Sequence, residues 1–519
     1  MNTRFLMAVF AALAIVSGCA QQTEEATPTT PADVKADVKA DVKKEAPAPG
    51  GMKLAATTAS ADARKHYMDG WAAYEVGRNN DAKNHFIAAT TADPSFAIAH
   101  LMTAVTAAST EGFADSLKKA SEHAAGASKA EQLMISVYEH AFDADQVGQL
   151  RAAKELTGLQ ADSPRAWFVQ SLAHGNQNDT AGAVKALDKA ISLDPKFVLG
   201  HLQLGNTYMF LEPKNYDKAE AHIKKAVALE PNEQNPHDLL GDVHRAQGNL
   251  KAAYDDYTRA AELAPDNGSP LQQRGHVNSF LGNYDEARSD YTRAAKLEDA
   301  RGTNAGPFFL VFKAYVNLHE GKPGAAVSEL RALAAGADPT REGTTDLKVN
   351  ALTSAALVAT HTGDSDTANS VIAQAAALMR QQAEDVGTPE FSSAQEANIA
   401  FLEGMLAARM GDTEGAQANA AAFERHSVTN TNPRKLERMH EILGMSDFYQ
   451  GDFAGAAKRL AAGDVVNNMY TKYHLALAND KAGNPAEASR LFNELAAWNF
   501  NGPGYALTRG EILARAASD

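Results

Sequence analysis

A spacing of 34 residues recurs in the middle of this 519-residue chain. Five small or aromatic positions are followed, 34 residues later, by the same residue type: Gly241/Gly275, Gly248/Gly282, Ala253/Ala287, Tyr257/Tyr291 and Ala260/Ala294. A period of this length indicates a stacked structural repeat. Each unit of such a repeat buries its apolar face against its neighbours, so the chain is expected to form one long solenoid.

Each repeat is predicted to contain two helices joined by a short turn. Residues 236–246 and 250–263 both carry apolar side chains at helical spacing, and Gln247-Gly248-Asn249 separates them. Gly248 suits the left-handed residue that ends a helix. Small residues such as Gly241 and Ala253 let the two helices approach closely, and Tyr257 is expected to fill the gap between them.

The order of small, aromatic, small, aromatic, small and Pro residues over 34 positions resembles the tetratricopeptide repeat. The resemblance implies an all-α fold, a right-handed superhelical solenoid of antiparallel helix pairs. We expect irregular helix pairs over residues 61–165, regular repeats over 166–299, and divergent repeats with a C-terminal cap over 300–519. Spacing over 61–519 predicts about 11 or 12 units. The aromatic residues 498–505, here called the C-terminal aromatic segment, are expected to cap the last unit.

The first 20 residues have a different character. Arg4 is followed by an apolar run at 5–16 that is too short to span a bilayer. The run ends at Val16-Ser17-Gly18-Cys19, and Cys19 is the only cysteine in the chain. These four residues resemble the bacterial lipobox, which implies that 1–18 is a lipoprotein signal peptide and that Cys19 becomes lipidated. Ala20, in place of the Asp of the inner-membrane retention signal, implies the outer membrane.

Residues 19–60 are predicted to form a disordered tether. Ala, Pro, Lys and Asp dominate it, and Ala-Asp-Val-Lys occurs three times in tandem at 32–43. A helix would place like charges four residues apart along this stretch, which opposes helix formation. A flexible chain of about 40 residues reaches roughly 35 Å, enough to hold the solenoid away from a membrane surface.

The charge of the chain excludes one class of partner. It carries 49 Lys and Arg against 64 Asp and Glu, a net charge of −15, and the repeats contain no basic stripe. Nucleic acid is therefore not expected as a partner. Anionic lipid head groups would repel the chain, so its membrane attachment is expected to depend on Cys19 and the several acyl chains of a bacterial lipoprotein.

No catalytic residue, metal site or cofactor is predicted. His440-Glu441 begins like the zinc-protease helix, but the second His of that motif is missing four residues later. The 16 histidines are scattered, and neither a phosphate-binding glycine loop nor a Gly-x-Ser-x-Gly elbow occurs.

The predicted binding surface is the concave face of the solenoid. In the tetratricopeptide family the first helix of each pair lines that face, and its outward-pointing positions contact the ligand. By register these positions are Asn206, Phe210, Asp238, Asp242, Arg245, Gln272, His276, Phe280, Phe308, Phe312, Tyr315 and His319.

The last four of these positions raise two interpretations. Three aromatic side chains and His319 at helical spacing would form a pocket for an apolar or peptide segment. Alternatively, Phe308 and Phe312 pack against a neighbouring helix, and we favour this interpretation because Phe309 and Val311 make the helix apolar on several sides.

Three functions remain open from the sequence. The favoured one is a membrane-anchored envelope scaffold or adaptor that binds protein partners through the concave face. The alternative is a glycan- or small-ligand-binding lipoprotein that uses the aromatic residues of 308–315. An enzyme with an unrecognised site in 300–519 is the third.

Overall fold

The computed structural model describes residues 56–517, and all the regular secondary structure in this part of the chain is helical. The first ten helices are α1 (Ala61–Val76), α2 (Asn79–Ala92), α3 (Ala97–Val105), α4 (Thr110–His123), α5 (Lys129–Phe142), α6 (Gln146–Leu159), α7 (Pro164–Asn176), α8 (Thr180–Leu193), α9 (Val198–Phe210) and α10 (Tyr216–Leu229). The next eight are α11 (Gln234–Ala246), α12 (Leu250–Leu263), α13 (Ser269–Leu281), α14 (Tyr284–Ala300), α15 (Gly306–His319), α16 (Pro323–Ala335), α17 (Thr344–Thr362) and α18 (Ser365–Val386). The last seven are α19 (Pro389–Met410), α20 (Thr413–His426), α21 (Glu437–Gln450), α22 (Phe453–Leu460), α23 (Met469–Lys481), α24 (Pro485–Ala496) and α25 (Pro503–Ala516).

The turn between α11 and α12 forms for the reason that the sequence indicates. Gly248 has φ +78°, a left-handed conformation that side chains rarely adopt, and it follows the end of α11. The side chain of Asn249 then accepts a hydrogen bond from the Ala252 backbone N–H and caps α12. The chain thus reverses within three residues.

The close approach of the two helices depends on glycine. A Cβ atom built on Gly241 would lie 2.5 Å from Cε1 of Tyr257, so only glycine leaves room for the aromatic ring there. Tyr257 is fully buried between α11 and α12. The predicted role of the small and aromatic positions is confirmed in this repeat.

Twelve helix pairs followed by α25 build the solenoid over the described residues. Each odd-numbered helix packs on its even-numbered successor, and successive odd-numbered helices also contact one another, for example α9, α11 and α13. The odd-numbered helices therefore form the inner, concave layer. The predicted all-helical solenoid is confirmed.

The 34-residue spacing fades after residue 300 because the helices lengthen. Helices α17, α18 and α19 have 19, 22 and 22 residues, whereas α11 and α12 have 13 and 14. Longer helices displace the turn and the closing Pro from their expected positions, while the pairing of helices continues.

Contacts between distant repeats close the solenoid on itself. The rings of Phe142 in α5 and Phe391 in α19 stack 5.7 Å apart at 9°. The buried carboxylate of Asp346 accepts hydrogen bonds from the backbone N–H of Thr110 at 2.9 Å and from Nε2 of Gln382 at 2.9 Å. The N-terminal repeats are thus held against α17, α18 and α19, an arrangement that the repeat pattern does not predict.

The predicted signal peptide, Cys19 and the tether as far as residue 55 lie outside the described residues. The final five tether residues differ from the expected disorder, because the Thr57 N–H donates to Oε1 of Glu131 at 2.8 Å and Ala56 is buried. Within residues 56–517 no helix combines the length and the apolar character needed to cross a bilayer.

Candidate binding surface on the concave face

All twelve predicted binding residues lie on four successive inner helices: α9, α11, α13 and α15. Eight of them expose less than a tenth of their surface: Asn206, Asp238, Asp242, Arg245, Gln272, His276, Phe280 and Tyr315. Phe210, Phe308, Phe312 and His319 are half-buried. The structure therefore brings these residues together on one surface, but it also covers that surface.

The covering element is the C-terminal aromatic segment. The ring of Phe500 lies 5.1 Å from the ring of Phe210, and the guanidinium carbon of Arg245 lies 4.7 Å above the Phe500 ring. Trp498 lies beside this contact, with Nζ of Lys214 4.9 Å from its ring. An aromatic side chain thus occupies a site made by α9 and α11, and a cation over the ring adds electrostatic attraction.

Asn501 connects the segment to the next two inner helices. Its Nδ2 donates to Nδ1 of His276 at 3.2 Å, and its Oδ1 lies 3.2 Å from Nε2 of His319, which donates to it. The Tyr291 hydroxyl lies 2.7 Å from the same Nδ1 of His276. One amide side chain therefore uses both its donor and its acceptor on the concave face.

Both histidines are neutral at pH 7. Burial lowers the pKa of His319 to about 4, the hydrogen bond that His319 donates to Asn501 opposes that shift, and the charge of Arg509 adds to it. Burial lowers the pKa of His276 well below its usual range, and the nearby Arg245 charge acts in the same direction. The two rings can therefore serve as one acceptor and one donor for an amide group.

A buried charged group lies next to the Phe500 site. Arg245 donates from Nη2 to Oδ1 of Asp242 at 2.6 Å, and the Tyr257 hydroxyl donates to the same oxygen at 2.7 Å. Burial raises the pKa of Asp242, and the Arg245 charge opposes this shift. Burial and the Asp242 carboxylate together raise the pKa of Asp238 well above its usual value.

Three polar atoms of these residues have no hydrogen-bond partner: Oδ1 of Asn206, Oδ1 of Asp238 and Nε of Arg245. Buried polar groups are normally paired, because leaving one without a partner costs about 1–3 kcal/mol. The concave face thus retains unused hydrogen-bonding capacity beside the site of Phe500.

The predicted aromatic pocket of α15 is part of the packed interior. The ring of Phe312 meets the ring of His276 at 4.7 Å and 88°, and it stacks on Tyr291 at 6.4 Å. The hydroxyl of Tyr315 lies 2.7 Å from Oγ of Ser354 in the following repeat. These contacts agree with the favoured interpretation, in which the aromatic residues pack against neighbouring helices.

The C-terminal aromatic segment, which is expected to cap the last repeat, also contacts the concave face of α9, α11, α13 and α15. After α24 the chain turns, and the Tyr505 hydroxyl lies 2.9 Å from the Leu495 carbonyl oxygen and 2.7 Å from the Trp498 carbonyl oxygen, so that its one hydrogen can be donated to either. Helix α25 then packs on α15 and α17 as well as on α23 and α24. The aromatic composition of the segment is visible in the sequence, but no local pattern specifies a surface 182 or more residues earlier in the chain as its contact.

Two family models match this chain, and both are described as tetratricopeptide repeat. One matches residues 67–131 and 210–268, and the other matches residues 164–197 and 269–301. A curated relative, the protein bimA of Emericella nidulans, is 30% identical over 109 residues. That match covers 21% of this chain and 13% of bimA, so the chain spans only a small part of that relative's length.

Several solved structures are similar to parts of the chain. MamA from Desulfovibrio magneticus RS-1 is 21% identical, covering 34% of this chain and 97% of MamA, with a TM-score of 0.28. The Thermus thermophilus protein TTC0263, titled a thermophilic TPR protein, is 22% identical, covering 42% of this chain and 98% of its own, with a TM-score of 0.27. YrrB, whose title describes a TPR protein with an unusual peptide-binding site, is 18% identical over 36% of this chain and 91% of its own, with a TM-score of 0.25. The matches and the paired helices built on Gly241, Gly248 and Tyr257 lead to one conclusion: residues 67–131, 164–197 and 210–301 match the tetratricopeptide repeat.

Proposed function

We propose that this protein is a membrane-anchored scaffold of the bacterial cell envelope whose concave face binds an extended segment of a partner protein. Tetratricopeptide repeats support a role in protein interaction. Anchoring through a lipidated Cys19 in the outer membrane rests on the lipobox resemblance of residues 16–19.

The observation that carries the proposal is the bound C-terminal aromatic segment. Residues 498–502 are non-helical, and they lie across α9, α11, α13 and α15 as a foreign peptide would. Their contacts define the ligand chemistry. An aromatic side chain enters between Phe210 and Arg245, and the next residue offers an amide to His276 and His319.

In this proposal the partner displaces the chain's own segment. A ligand that binds only the open form has its apparent affinity reduced by the fraction of molecules in that form. Partner binding is thus controlled by how firmly Phe500 and Asn501 hold the concave face. The protein segment is favoured over a glycan because the rings of 308–315 are engaged with other side chains instead of presenting open ring faces.

A peptide competition experiment tests this mode of binding. The probe is a fluorescein-labelled synthetic peptide with the sequence of residues 494–505, titrated into the full chain and into the F500A/N501A double variant. We expect about tenfold tighter binding to the double variant, because its own segment competes less. A peptide with Ala at both positions should not bind either protein.

The matched control is V428A, which changes a side chain that is 70% exposed and should bind the peptide as the unchanged chain does. Circular dichroism verifies that each variant remains helical. Equal peptide affinity for the unchanged chain and the double variant would contradict displacement.

To identify the natural partner, a photo-crosslinker at Phe210 is compared with one at Lys251, whose side chain is 87% exposed on α12. Capture of the same protein from both positions would argue against the concave face.

Membrane anchoring is tested separately by fractionation of the producing cells. Replacing Cys19 by Ala removes the only thiol available for lipidation. We expect the C19A protein to leave the membrane fraction with unchanged helix content. A C19A protein that still sediments with membranes would overturn the lipoprotein part of the proposal.

A further inference from the structure

The first helix pair places two imidazoles and a carboxylate side by side. His66 and Asp69 lie three residues apart on one face of α1, and His85 projects from α2. The Nδ1 atoms of the two histidines are 3.4 Å apart, and a ligand atom from each of the three residues lies within 4.8 Å of the others. All three side chains are half-buried, so solvent reaches the cluster.

From this geometry we infer that His66, Asp69 and His85 form a binding site for a divalent transition-metal ion, with Zn²⁺ the first candidate. A tetrahedral Zn²⁺ ion with nitrogen ligands at about 2.0–2.1 Å holds two of them roughly 3.3–3.4 Å apart. The Nδ1–Nδ1 distance of 3.4 Å between His66 and His85 matches this separation. Two imidazoles and one carboxylate leave the fourth position of a tetrahedron to water.

Asp69 can turn toward the ion at little cost. Its carboxylate now pairs with Nζ of Lys65 at 2.7 Å, and the two side chains are 39% and 71% exposed. An exposed pair of this kind contributes little to stability. With no ligand atoms more than 4.8 Å apart, a carboxylate oxygen has to move by only about 1–2 Å to complete a tetrahedral set.

A second histidine pair in the same chain provides an internal comparison. Nδ1 of His201 in α9 and Nδ1 of His222 in α10 are also 3.3 Å apart. Among the described residues, no carboxylate or further imidazole lies close enough to make this pair a three-ligand group. The two pairs therefore share the imidazole contact and differ in the third ligand.

The bound ion would act as a clip between α1 and α2. These helices form the first repeat of the described residues, where α1 packs on α2 and also contacts α9. Such an ion binds the folded pair in preference to the unfolded chain and so stabilises this end of the solenoid. No local motif marks this site in the sequence, because the three residues belong to two helices.

Isothermal titration calorimetry on the untagged full chain, treated with EDTA and dialysed, tests the site with ZnCl₂. We expect one site that is lost in H85A and retained in H222A. D69N should weaken binding at least about tenfold, since it removes a ligand charge while preserving the shape of the side chain. Co²⁺ in place of Zn²⁺ should give the intense visible absorption of a tetrahedral site, and this absorption should be absent in H85A.

Thermal unfolding provides the second readout. Zn²⁺ should raise the melting temperature of the unchanged chain and of H222A, and it should leave that of H85A unchanged. Equal Zn²⁺ affinity of H85A and the unchanged chain would overturn the inference. An equal loss of Zn²⁺ affinity in H85A and H222A would also overturn the inference, since Zn²⁺ would then bind to histidine pairs in general.

Discussion

At the scale of single residues, the helix pairs depend on glycines that leave room for a neighbouring aromatic ring. Gly241 has no Cβ, and the ring of Tyr257 occupies the space in which one would lie. We expect G241A to destabilise the protein by about 1–3 kcal/mol, because the buried ring has to shift or leave its rotamer. Urea unfolding followed by circular dichroism measures the change.

The control for this substitution is G158A. Gly158 is also helical, but nothing lies within 4 Å of an added Cβ and the position is exposed. There alanine should stabilise α6 by up to about 1 kcal/mol through its higher helix propensity. Equal effects of the two substitutions would mean that close helix approach is not what Gly241 provides.

Glu441 gives a residue-scale prediction for the pH dependence of stability. Burial raises its pKa to about 7, although the Asp464 N–H donates to it at 3.0 Å and Nδ2 of Asn468 at 3.1 Å. The ordinary pKa of a glutamate is 4.5, so between pH 4.5 and pH 7 the folded protein holds a proton on Glu441 that the unfolded chain has lost. The contribution of Glu441 to stability therefore falls as the pH rises through that range. In E441Q this fall, roughly 3 kcal/mol, should disappear. Urea unfolding of both proteins from pH 4.5 to 8 measures it, and parallel curves would contradict the assignment.

At the scale of elements, the C-terminal aromatic segment is the one that covers the concave face. His319 donates a hydrogen bond to Oδ1 of Asn501, and burial lowers the pKa of this histidine to about 4. If the segment leaves, His319 is exposed to water, and its pKa returns to the usual 6.5. The released form therefore binds a proton below pH 6.5 that the docked form does not bind until about pH 4. The docked form is thus fully favoured above pH 6.5 and loses stability as the pH falls toward 4. Protonation of His319 would also leave its charge close to Arg509.

We therefore expect the segment to leave the concave face on acidification, with a change of roughly 3 kcal/mol from His319 alone. Fluorescence of Trp498, in a chain whose other two tryptophans are replaced by Phe, should report its release between pH 6.5 and 4. H319Q should shift or flatten this transition. A transition at the same pH with the same amplitude in H319Q would show that another group controls release.

At the scale of the whole molecule, contacts between distant repeats make the solenoid more cooperative than a chain of nearest neighbours. Phe391 is buried in the apolar core of the N-terminal repeats, where it stacks on Phe142. F391A should destabilise the protein by about 3–5 kcal/mol and should accelerate hydrogen exchange in α5. F492A removes an equally large buried ring that contacts Tyr473 and Arg515 near the C-terminus, and it should leave exchange in α5 unchanged. Exchange that is accelerated only locally in F391A would indicate independent repeats.

Much of the helical pattern could be predicted from local residues. The helices predicted at 236–246 and 250–263 correspond to α11 (Gln234–Ala246) and α12 (Leu250–Leu263), because Gly248 and Asn249 define the turn within three residues. The estimate of about 11 or 12 units also agrees with the twelve observed pairs. Register placed the twelve candidate binding residues on inner helices, and their role in partner binding stays a prediction.

The candidate site was less predictable because its contacts join residues far apart in the chain. Asn501 and His276 are separated by 225 positions, and Thr110 and Asp346 by 236. Neither residue type nor spacing distinguishes Asn501 from other asparagines in turns. His66 and His85 belong to two helices, so their proximity follows from how those helices pack.

The sequence by itself determined the repeat, since glycine conformation, helix capping and small-to-aromatic packing act within one or two helices. It also carries the lipobox resemblance and the acidic charge, which are properties of composition and order. Only the tertiary structure decided that Phe500 and Asn501 cover the concave face and that α5 meets α19. The physical reason is accumulation: each joint between repeats adds a small rotation, and the sum over many joints determines which distant surfaces come into contact.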